Sequence, residues 1–497
     1  MGHFEKTSGA ELLKKPEYIA LLLIIAAACA WVTSKMGLIA GLGIIVLPIA
    51  IAFLSIIFLY PRVGLLAIFV LNFTALGINR YVPAPWGLSI DGILILIYIA
   101  LFLKSFRSEV PWVNAKTDLT LLAAIWYGYA LLQLVNPEAV SRVAWFYAMR
   151  GVAFYMLLII PLIFILFGKR KDLNIFLIIW AVFSILGTLK GIMQMTMGVD
   201  PFEQRWLDNG GAVTHILFGK LRVFSFYSDA GQFGASQGHT GVVFGILALN
   251  KKDNLKLRIF YGVTALLGFY GMMISGTRGA IAVPAMGAAL YIILKKNIKV
   301  MVLGLLAGIA VFVFFKYTYI GNSNYNIRRM RTAFDPNDAS LLVRLENQRK
   351  LKDYMASRPF GGGIGSAGNW GQRFSSETFL ANTPTDSWYV SIWAEQGIVG
   401  LILHLLILFY IVFKSSYIIM FKIRDDWVRA QMGALAAGLF GIMAASYGNG
   451  VLGQIPTGLL IYSSMAYLFL SQKLDKEALD EKSSEQLEEA NNNLSSE

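Results

Sequence analysis

The residues best suited to chemistry in this 497-residue chain lie in the polar stretches between its apolar runs. Ile274-Ser275-Gly276-Thr277-Arg278-Gly279-Ala280 places an arginine in a turn of a few residues, with glycines close on both sides. Small neighbours allow close packing, so this guanidinium is held rather than free to wave. A planar, permanently charged guanidinium matches phosphate or carboxylate oxygens in a bidentate fork. Anion binding is therefore the chemistry expected of Arg278. A second polar stretch ends in Gly219-Lys220-Leu221-Arg222-Val223-Phe224-Ser225-Phe226-Tyr227-Ser228-Asp229. A third, residues 317–387, ends in Thr385-Asp386-Ser387-Trp388-Tyr389. The carboxylate of Asp386 or the imidazole of His215, read as exposed, could take a proton from an attacking hydroxyl.

The elements that position these groups are membrane helices. Hydrophobic residues make up 56% of the chain and charged ones only 15%, with a mean hydropathy of +0.60. A soluble globular chain carries roughly 25% charged residues, and a single soluble domain of this size could not be coated with so few polar groups. Apolar runs such as Leu38–Tyr60 and Gly151–Gly168 are almost free of charge, and a membrane span needs about 20 such residues. The pattern predicts an all-α, polytopic bundle of about 12–14 transmembrane helices, near 17–33, 37–59, 62–78, 88–103, 118–135, 146–168, 173–199, 229–249, 257–275, 279–294, 298–316, 388–413, 428–447 and 455–471. The net charge of +13 belongs to the cytoplasmic ends of those helices and not to nucleic acid.

Short basic connections alternate along the chain: Lys104/Arg107/Lys116, Lys169-Arg170-Lys171, Lys251/Lys252/Lys256/Arg258, Lys295/Lys296/Lys299 and Lys414/Lys422/Arg424/Arg429. The positive-inside rule makes these cytoplasmic, with both termini on the same side and the stretches holding Arg222, Arg278 and residues 317–387 outside. Lys14 and Lys15 followed by an apolar run imitate a signal peptide, but another apolar run follows at once, so the first segment is read as an uncleaved helix. From Lys473 the chain turns polar and acidic and is expected to be a partly disordered cytoplasmic tail. The lone Cys29 permits no intrachain disulfide. His3, His215, His239 and His404 show no metal-ligand spacing, so no metal or other cofactor is expected.

The long outer stretch should contain a helix from Leu341 to about Ser357, capped by Ser340 and stopped before Pro359. Arg344, Arg349, Lys350 and Lys352 fall on its polar face, while Leu341, Leu345, Leu351 and Met355 can lie against the membrane domain. For a single outer arginine other than Arg278, contact with lipid headgroups is the simpler reading, and Trp388 and Tyr389 suit an aromatic belt. Glu395 lies nine residues beyond Asp386, about 13 Å farther along a helix. An ionisable group at that depth is expensive, so Glu395 is read as the partner of an arginine. His239 and His404 are read as hydrogen-bonded within the bundle. Lys190 and Asp91 are the other charged groups placed inside spans.

Outside a cytoplasmic membrane there is no ATP, so group transfer there needs a substrate already activated. A glycan on a polyprenyl diphosphate is such a donor. Its leaving diphosphate suits a clamp of arginines, with a carboxylate or imidazole nearby as the base.

Four stretches carry a family resemblance: Leu221-Arg222-Val223 with Phe224 to Gly234; Ser275-Gly276-Thr277-Arg278-Gly279; Arg344 with Arg358-Pro359-Phe360-Gly361-Gly362-Gly363-Ile364-Gly365; and Asp386-Ser387-Trp388-Tyr389-Val390 through Ala394-Glu395-Gln396-Gly397-Ile398-Val399-Gly400. Together they resemble the O-antigen ligase and polymerase superfamily of bacterial membrane glycosyltransferases, over about residues 200–410. The resemblance implies a glycosyltransferase-C-like fold. It implies a core at 200–410 between N-terminal helices (1–199) and C-terminal helices (411–471), with a tail at 472–497. It further implies an inverting, metal-independent transfer from undecaprenyl diphosphate to a glycan or glycolipid acceptor at the outer face of the bacterial cytoplasmic membrane, in the biosynthesis of envelope polysaccharide such as lipopolysaccharide. Arg222, Arg278 and Arg344 would bind the diphosphate and Asp386 the acceptor, supported by Tyr227, Gln232, Trp388 and Glu395. The histidine of the family's closing motif falls on Asp386 here. A carboxylate, with a reference pKa near 3.9, is a weaker base than imidazole, which leaves His215 as the alternative base. A repeat-unit polymerase is the second enzymatic reading, and a flippase of lipid-linked sugars is the reading from another class.

Overall fold

The computed structural model describes residues 16–108, 110–217 and 219–494. His3, Lys14 and Lys15, on which the signal-peptide resemblance rests, lie outside them. The architecture is all-α and polytopic. In chain order the main helices are α1 (Pro16–Met36), α2 (Leu38–Leu59), α3 (Pro61–Tyr81), α4 (Trp86–Lys104), α5 (Asp118–Leu132), α6 (Arg142–Leu166), α7 (Arg170–Thr196), α8 (Ala230–Asn250), α9 (Leu255–Ile274), α10 (Arg278–Leu294), α11 (Ile298–Tyr317), α12 (Tyr325–Arg331), α13 (Ala339–Met355), α14 (Trp388–Phe421), α15 (Asp426–Ala445) and α16 (Thr457–Leu494). Among the described residues ten helices are long and apolar enough to cross a membrane. Every expected segment is helical, but four fall short of that standard. Among the described residues the apolar stretch Val46–Leu59 of α2 is short of a span and α10 is brief, α8 is rich in Gly, Ser and Gln, and α16 is apolar only at its start.

Helix starts are set by side chains that satisfy the orphaned first-turn amides. Asp229 caps α8, Asn254 caps α9, Asn297 caps α11, Ser387 caps α14 and Asp425 caps α15. The loop helix α13 begins earlier than expected, because the Asp338 carboxylate and not the Ser340 hydroxyl accepts the Leu341 amide. Of its apolar face only Leu351 and Met355 are buried; Leu341 and Leu345 stay exposed.

Helix α8 sits in the centre, packed on α9, α10 and α15. Glycines let the backbones meet, as membrane helices require in the absence of a hydrophobic driving force between them. A Cβ on Gly268 would lie 2.8 Å from the Gly241 amide, and one on Gly287 would lie 2.8 Å from the Ala437 carbonyl oxygen. The 21 residues of α8 span about 30 Å, from Asp229 at one end to Asn250 at the other. The Asn250 end gathers the basic connections: Arg170, Lys251, Lys252, Lys295, Arg429 and Lys482 line one cavity there. Beyond Lys473 the described residues are helical, where the sequence suggests a partly disordered tail. They continue α16 to Leu494, held because Asp475 accepts the amides of Arg424 and Asp425 at 3.1 and 2.7 Å. Lys482 pairs with Asp425, and Arg170 with Glu481. One acidic residue that read as solvated in sequence, Glu481, thus finds a basic partner, while Glu485 and Glu488 stay exposed.

At the Asp229 end the long stretch 318–387 folds back onto the bundle. Its glycine run is docked by Gln133 and Asn136, which donate to the Phe360 carbonyl at 3.0 and 3.2 Å. The run then pairs with a break in α14: Gly362 and Gly363 donate to the carbonyls of Ala394 and Glu395. Gly397 has φ 69° and ψ −174°, a region open essentially to glycine alone. A Cβ there would lie 1.9 Å from the Pro359 carbonyl oxygen. Gly397→Ala is therefore expected to destabilise the fold by at least about 1–3 kcal/mol, seen as a lowered Tm of the purified protein in detergent. An unchanged Tm would show that the break in α14 is not needed.

Candidate active site

Two neighbouring groupings of polar residues occupy the Asp229 end. The first surrounds the tight turn before α10. Arg222 donates through Nη2 to the Thr277 hydroxyl at 3.2 Å and through Nη1 to the Thr214 carbonyl at 3.0 Å. Arg278 donates to the Thr332 hydroxyl at 3.0 Å and pairs with Asp338. Arg329, on α12, donates through Nε to the Gly276 carbonyl at 2.6 Å. Two guanidinium groups thus grip successive residues of the turn, Gly276 and Thr277, and the next residue, Arg278, carries the third outward to Thr332 and Asp338. Gly276, at φ 59°, leaves the space Arg329 fills: a Cβ there would lie 3.0 Å from the Arg329 Cδ. The grouping is electrostatically tense. Burial, and then the nearby charges of Arg329 and Arg278, push the Arg222 guanidinium down to about 10, against the pull of Asp229 and Tyr325. An anion placed among these arginines would relieve that repulsion. Burial raises the Asp338 carboxyl, but the Arg278 bond and the Leu341 amide outweigh it and hold the group below the usual carboxylate range.

The second grouping is a polar cavity of about 190 Å³ lined by Asp229, Gln232, Arg344, Asp386, Asn449 and Gln454, with backbone between. Asp386 has φ 50°, a left-handed conformation that Asp tolerates better than bulky residues do. Its neighbours fix it: the Ser387 hydroxyl and the Trp388 amide both donate to the Ser446 carbonyl. Arg344 Nε lies 3.9 Å from Asp386 Oδ2, a loose and half-exposed pair worth little on its own. The other carboxylate is committed. Asp229 Oδ1 accepts the amides of Gly231 and Gln232 at 2.7 and 3.0 Å, and Oδ2 accepts the Ser228 hydroxyl at 2.8 Å. Of the two, Asp386 is the one whose carboxylate accepts no hydrogen bond among the described residues and meets only Arg344. Asn449 joins the groupings: it sits beside Gly279, where a Cβ would lie 2.3 Å from its Nδ2. A side chain at Gly279 would displace the Asn449 amide from this position.

The structure brings Arg222 and Arg278 together on the turn and places Arg344 with Asp386 in the cavity. Several other expected residues do different work. His215 is buried, not exposed. Its Nε2 accepts the Ala230 amide at 3.2 Å, so Nδ1 carries the proton and donates to the Gly211 carbonyl at 2.9 Å. Burial also lowers its basicity. In this position His215 supports the first turn of α8. Tyr227 is buried beside Gln237, its carbonyl gripped by Arg80, and it does not line the cavity. Trp388 donates its indole N–H to His404 Nε2 at 3.0 Å and wedges against Gly453. Gln232 reaches the cavity and braces the chain that follows α15, donating to Gln454 Oε1 at 3.0 Å and accepting from Thr457 at 3.0 Å.

Glu395 is not paired with an arginine. It accepts the backbone N–H of Ala367 at 3.3 Å and that of Gly365, which the glycine run delivers. His404 is hydrogen-bonded within the bundle as expected. His239 is not: it is packed against Trp180 and Gly438, with neither ring nitrogen hydrogen-bonded among the described residues. A fourth charged group inside a span, Arg150, pairs with Asp91 at 2.8 Å. Sequence reasoning missed Arg329, Asp229, Asn449 and Gln454. Only Asp229, a strong capping type just ahead of a helix, carried a visible signal.

Residues 263–405 match the family model described as O-Antigen ligase. No curated protein matches the chain. Over this segment the chain is similar to the O-antigen ligase family, which supports a membrane glycosyltransferase of that general type. The segment contains Arg278, Arg329, Arg344, Asp386 and Glu395, while Arg222, Asp229, Asn449 and Gln454 lie outside it.

Proposed function

We propose that this multi-pass membrane protein transfers a glycan from undecaprenyl diphosphate to a glycan or glycolipid acceptor at the outer face of the bacterial cytoplasmic membrane. The observation that carries the reading is the gathering of Arg222, Arg278 and Arg329 at one turn, adjoining a cavity whose Asp386 carboxylate is held only by a loose contact with Arg344. The basic connections at the far end of α8 support an orientation with both termini in the cytoplasm and the cavity outside.

In this reading the diphosphate lies against the arginines and Asp386 receives the acceptor. The acceptor hydroxyl oxygen forms a bond to the anomeric carbon as the bond from that carbon to the diphosphate oxygen breaks. Asp386 takes the hydroxyl proton, and the leaving diphosphate keeps the electron pair. Attack opposite the leaving group inverts the anomeric centre. Guanidinium groups fixed before the reaction stabilise charge where it develops, without reorganisation at the moment of transfer, and the chemistry calls for no metal. An incoming diphosphate competes with Asp338 for Arg278, so binding of the donor would loosen the tie between the turn and the loop helix α13.

The test is the size distribution of undecaprenyl-diphosphate-linked glycan in a host lacking this protein. Accumulated full-length polymer is the expected result. Accumulated single repeat units at the outer face would make the protein a polymerase. Units trapped on the cytoplasmic face would make it a flippase, and an unchanged pool would remove the glycan assignment.

A further inference from the structure

The cavity has two halves of different origin. Arg344 and Asp386 come from the segment that matches the ligase family. The opposite half comes from outside it: Asp229 at the start of α8, and Asn449 and Gln454 on the connection between α15 and α16. This half is polar, uncharged except for Asp229, and built rather than incidental. Asn449 is seated between two glycines: a Cβ on Gly231 would lie 3.7 Å from its Oδ1, and one on Gly279 would lie 2.3 Å from its Nδ2. Its amide makes one long contact, to the Ala445 carbonyl at 3.4 Å. Gln454 is exposed. Its Oε1 is held by Gln232, while its Nε2 lies 3.5 Å from the Cβ position of Gly450, another lining residue. The donors and acceptors of two amides therefore stand across a small space from a fixed carboxylate.

Such a set suits neighbouring hydroxyls, each of which both donates and accepts. It does not suit a phosphate, which the Asp229 carboxylate would repel and which the arginines around the turn hold better. At about 190 Å³ the cavity is smaller than the roughly 300–1,000 Å³ of a site for a drug-sized ligand, and fits one edge of a sugar rather than an oligosaccharide.

We infer that Asp229, Asn449 and Gln454 form a carbohydrate subsite that selects the acceptor sugar and presents one of its hydroxyls to Asp386. The inference rests on the transfer reading above and goes beyond it: acceptor choice is located outside the family segment, on the α15–α16 connection. Asn449 and Gln454 are positioning residues, since the reacting proton goes to Asp386.

The test is binding, which needs neither donor nor turnover. Full-length protein in lipid nanodiscs is titrated with D-glucose, D-galactose and N-acetylglucosamine, followed by saturation-transfer difference NMR. At least one hexose is expected to bind saturably, and to rank clearly above the others. Gln454→Ala, at an exposed position, is expected to weaken it about tenfold, the worth of one or two hydrogen bonds. Asn449→Ser should do the same, and Arg349→Ala, at an exposed position on α13, should leave it unchanged. No saturable hexose signal on the wild type overturns the subsite, as does binding that ignores Gln454→Ala or is lost in Arg349→Ala. Sugar binding that follows this pattern in a protein that transfers no glycan would sink the transfer reading and leave the subsite standing.

Discussion

Arg278→Ala is expected to abolish glycan transfer while the protein still inserts and folds, with a loss of about 10²–10³ in kcat, the effect of removing one preorganised donor to developing charge. Folding should survive because the turn keeps its other grips: Thr277 donates to the Ala230 carbonyl at 2.7 Å, and the Ser275 hydroxyl accepts the Thr277 amide at 3.1 Å. What the substitution does remove is the link to Asp338 and Thr332. Asp338→Asn separates the two consequences. It breaks the same ion pair but keeps the guanidinium, so it should retain most of the activity that Arg278→Ala loses. Transfer rates of both variants, normalised to folded protein in membranes, decide the matter. Normal turnover by Arg278→Ala would sink the assignment of the arginines, and equal losses in the two variants would mean that Arg278 is only a tether.

Asp386→Asn is expected to cost about 10²–10⁴ in kcat, the range for loss of a positioned general base. Asparagine can still accept a hydrogen bond and tolerates the same left-handed backbone, so the acceptor KM should change little. His215→Gln should behave in the opposite way. Its ring nitrogens are committed to Ala230 and Gly211, so the variant should lose stability by about 0.5–2 kcal/mol, as for a lost helix cap. The kcat of its folded fraction should stay within a few-fold of wild type. Paired measurements of kcat and Tm separate the two. If His215→Gln loses more kcat than Asp386→Asn, the base is His215 and the cavity reading fails.

How much of this was legible in the sequence depends on the range of each interaction. The helices were, because apolar runs of span length leave little else to form. Arg278 was legible because its constraint is local: Gly276 and Gly279 sit on either side, the first in a left-handed conformation and the second against the Asn449 amide. Residues whose surroundings come from distant chain were not. Glu395 at membrane depth called for a partner, and an arginine was the simplest supposition. The actual partners are backbone amides, brought nearly thirty residues along the chain by a glycine run that no pairing rule connects to it. His215 read as exposed because it lies in a polar stretch; its burial arises from Trp206, Phe224 and the start of α8. The tail read as solvated because Glu481 and Lys482 were counted without the charged groups that meet them. Asn449 is one polar residue in a glycine-flanked connection, and nothing local distinguishes it.

The central claim is tested most directly by reconstitution. Full-length protein in proteoliposomes would be given an undecaprenyl-diphosphate-linked oligosaccharide and a glycolipid acceptor. Free undecaprenyl diphosphate and glycosylated acceptor would be quantified together. We predict that the two appear in equal amounts, and that both vanish with Arg278→Ala. Movement of the intact donor between leaflets with no undecaprenyl diphosphate released would contradict the account.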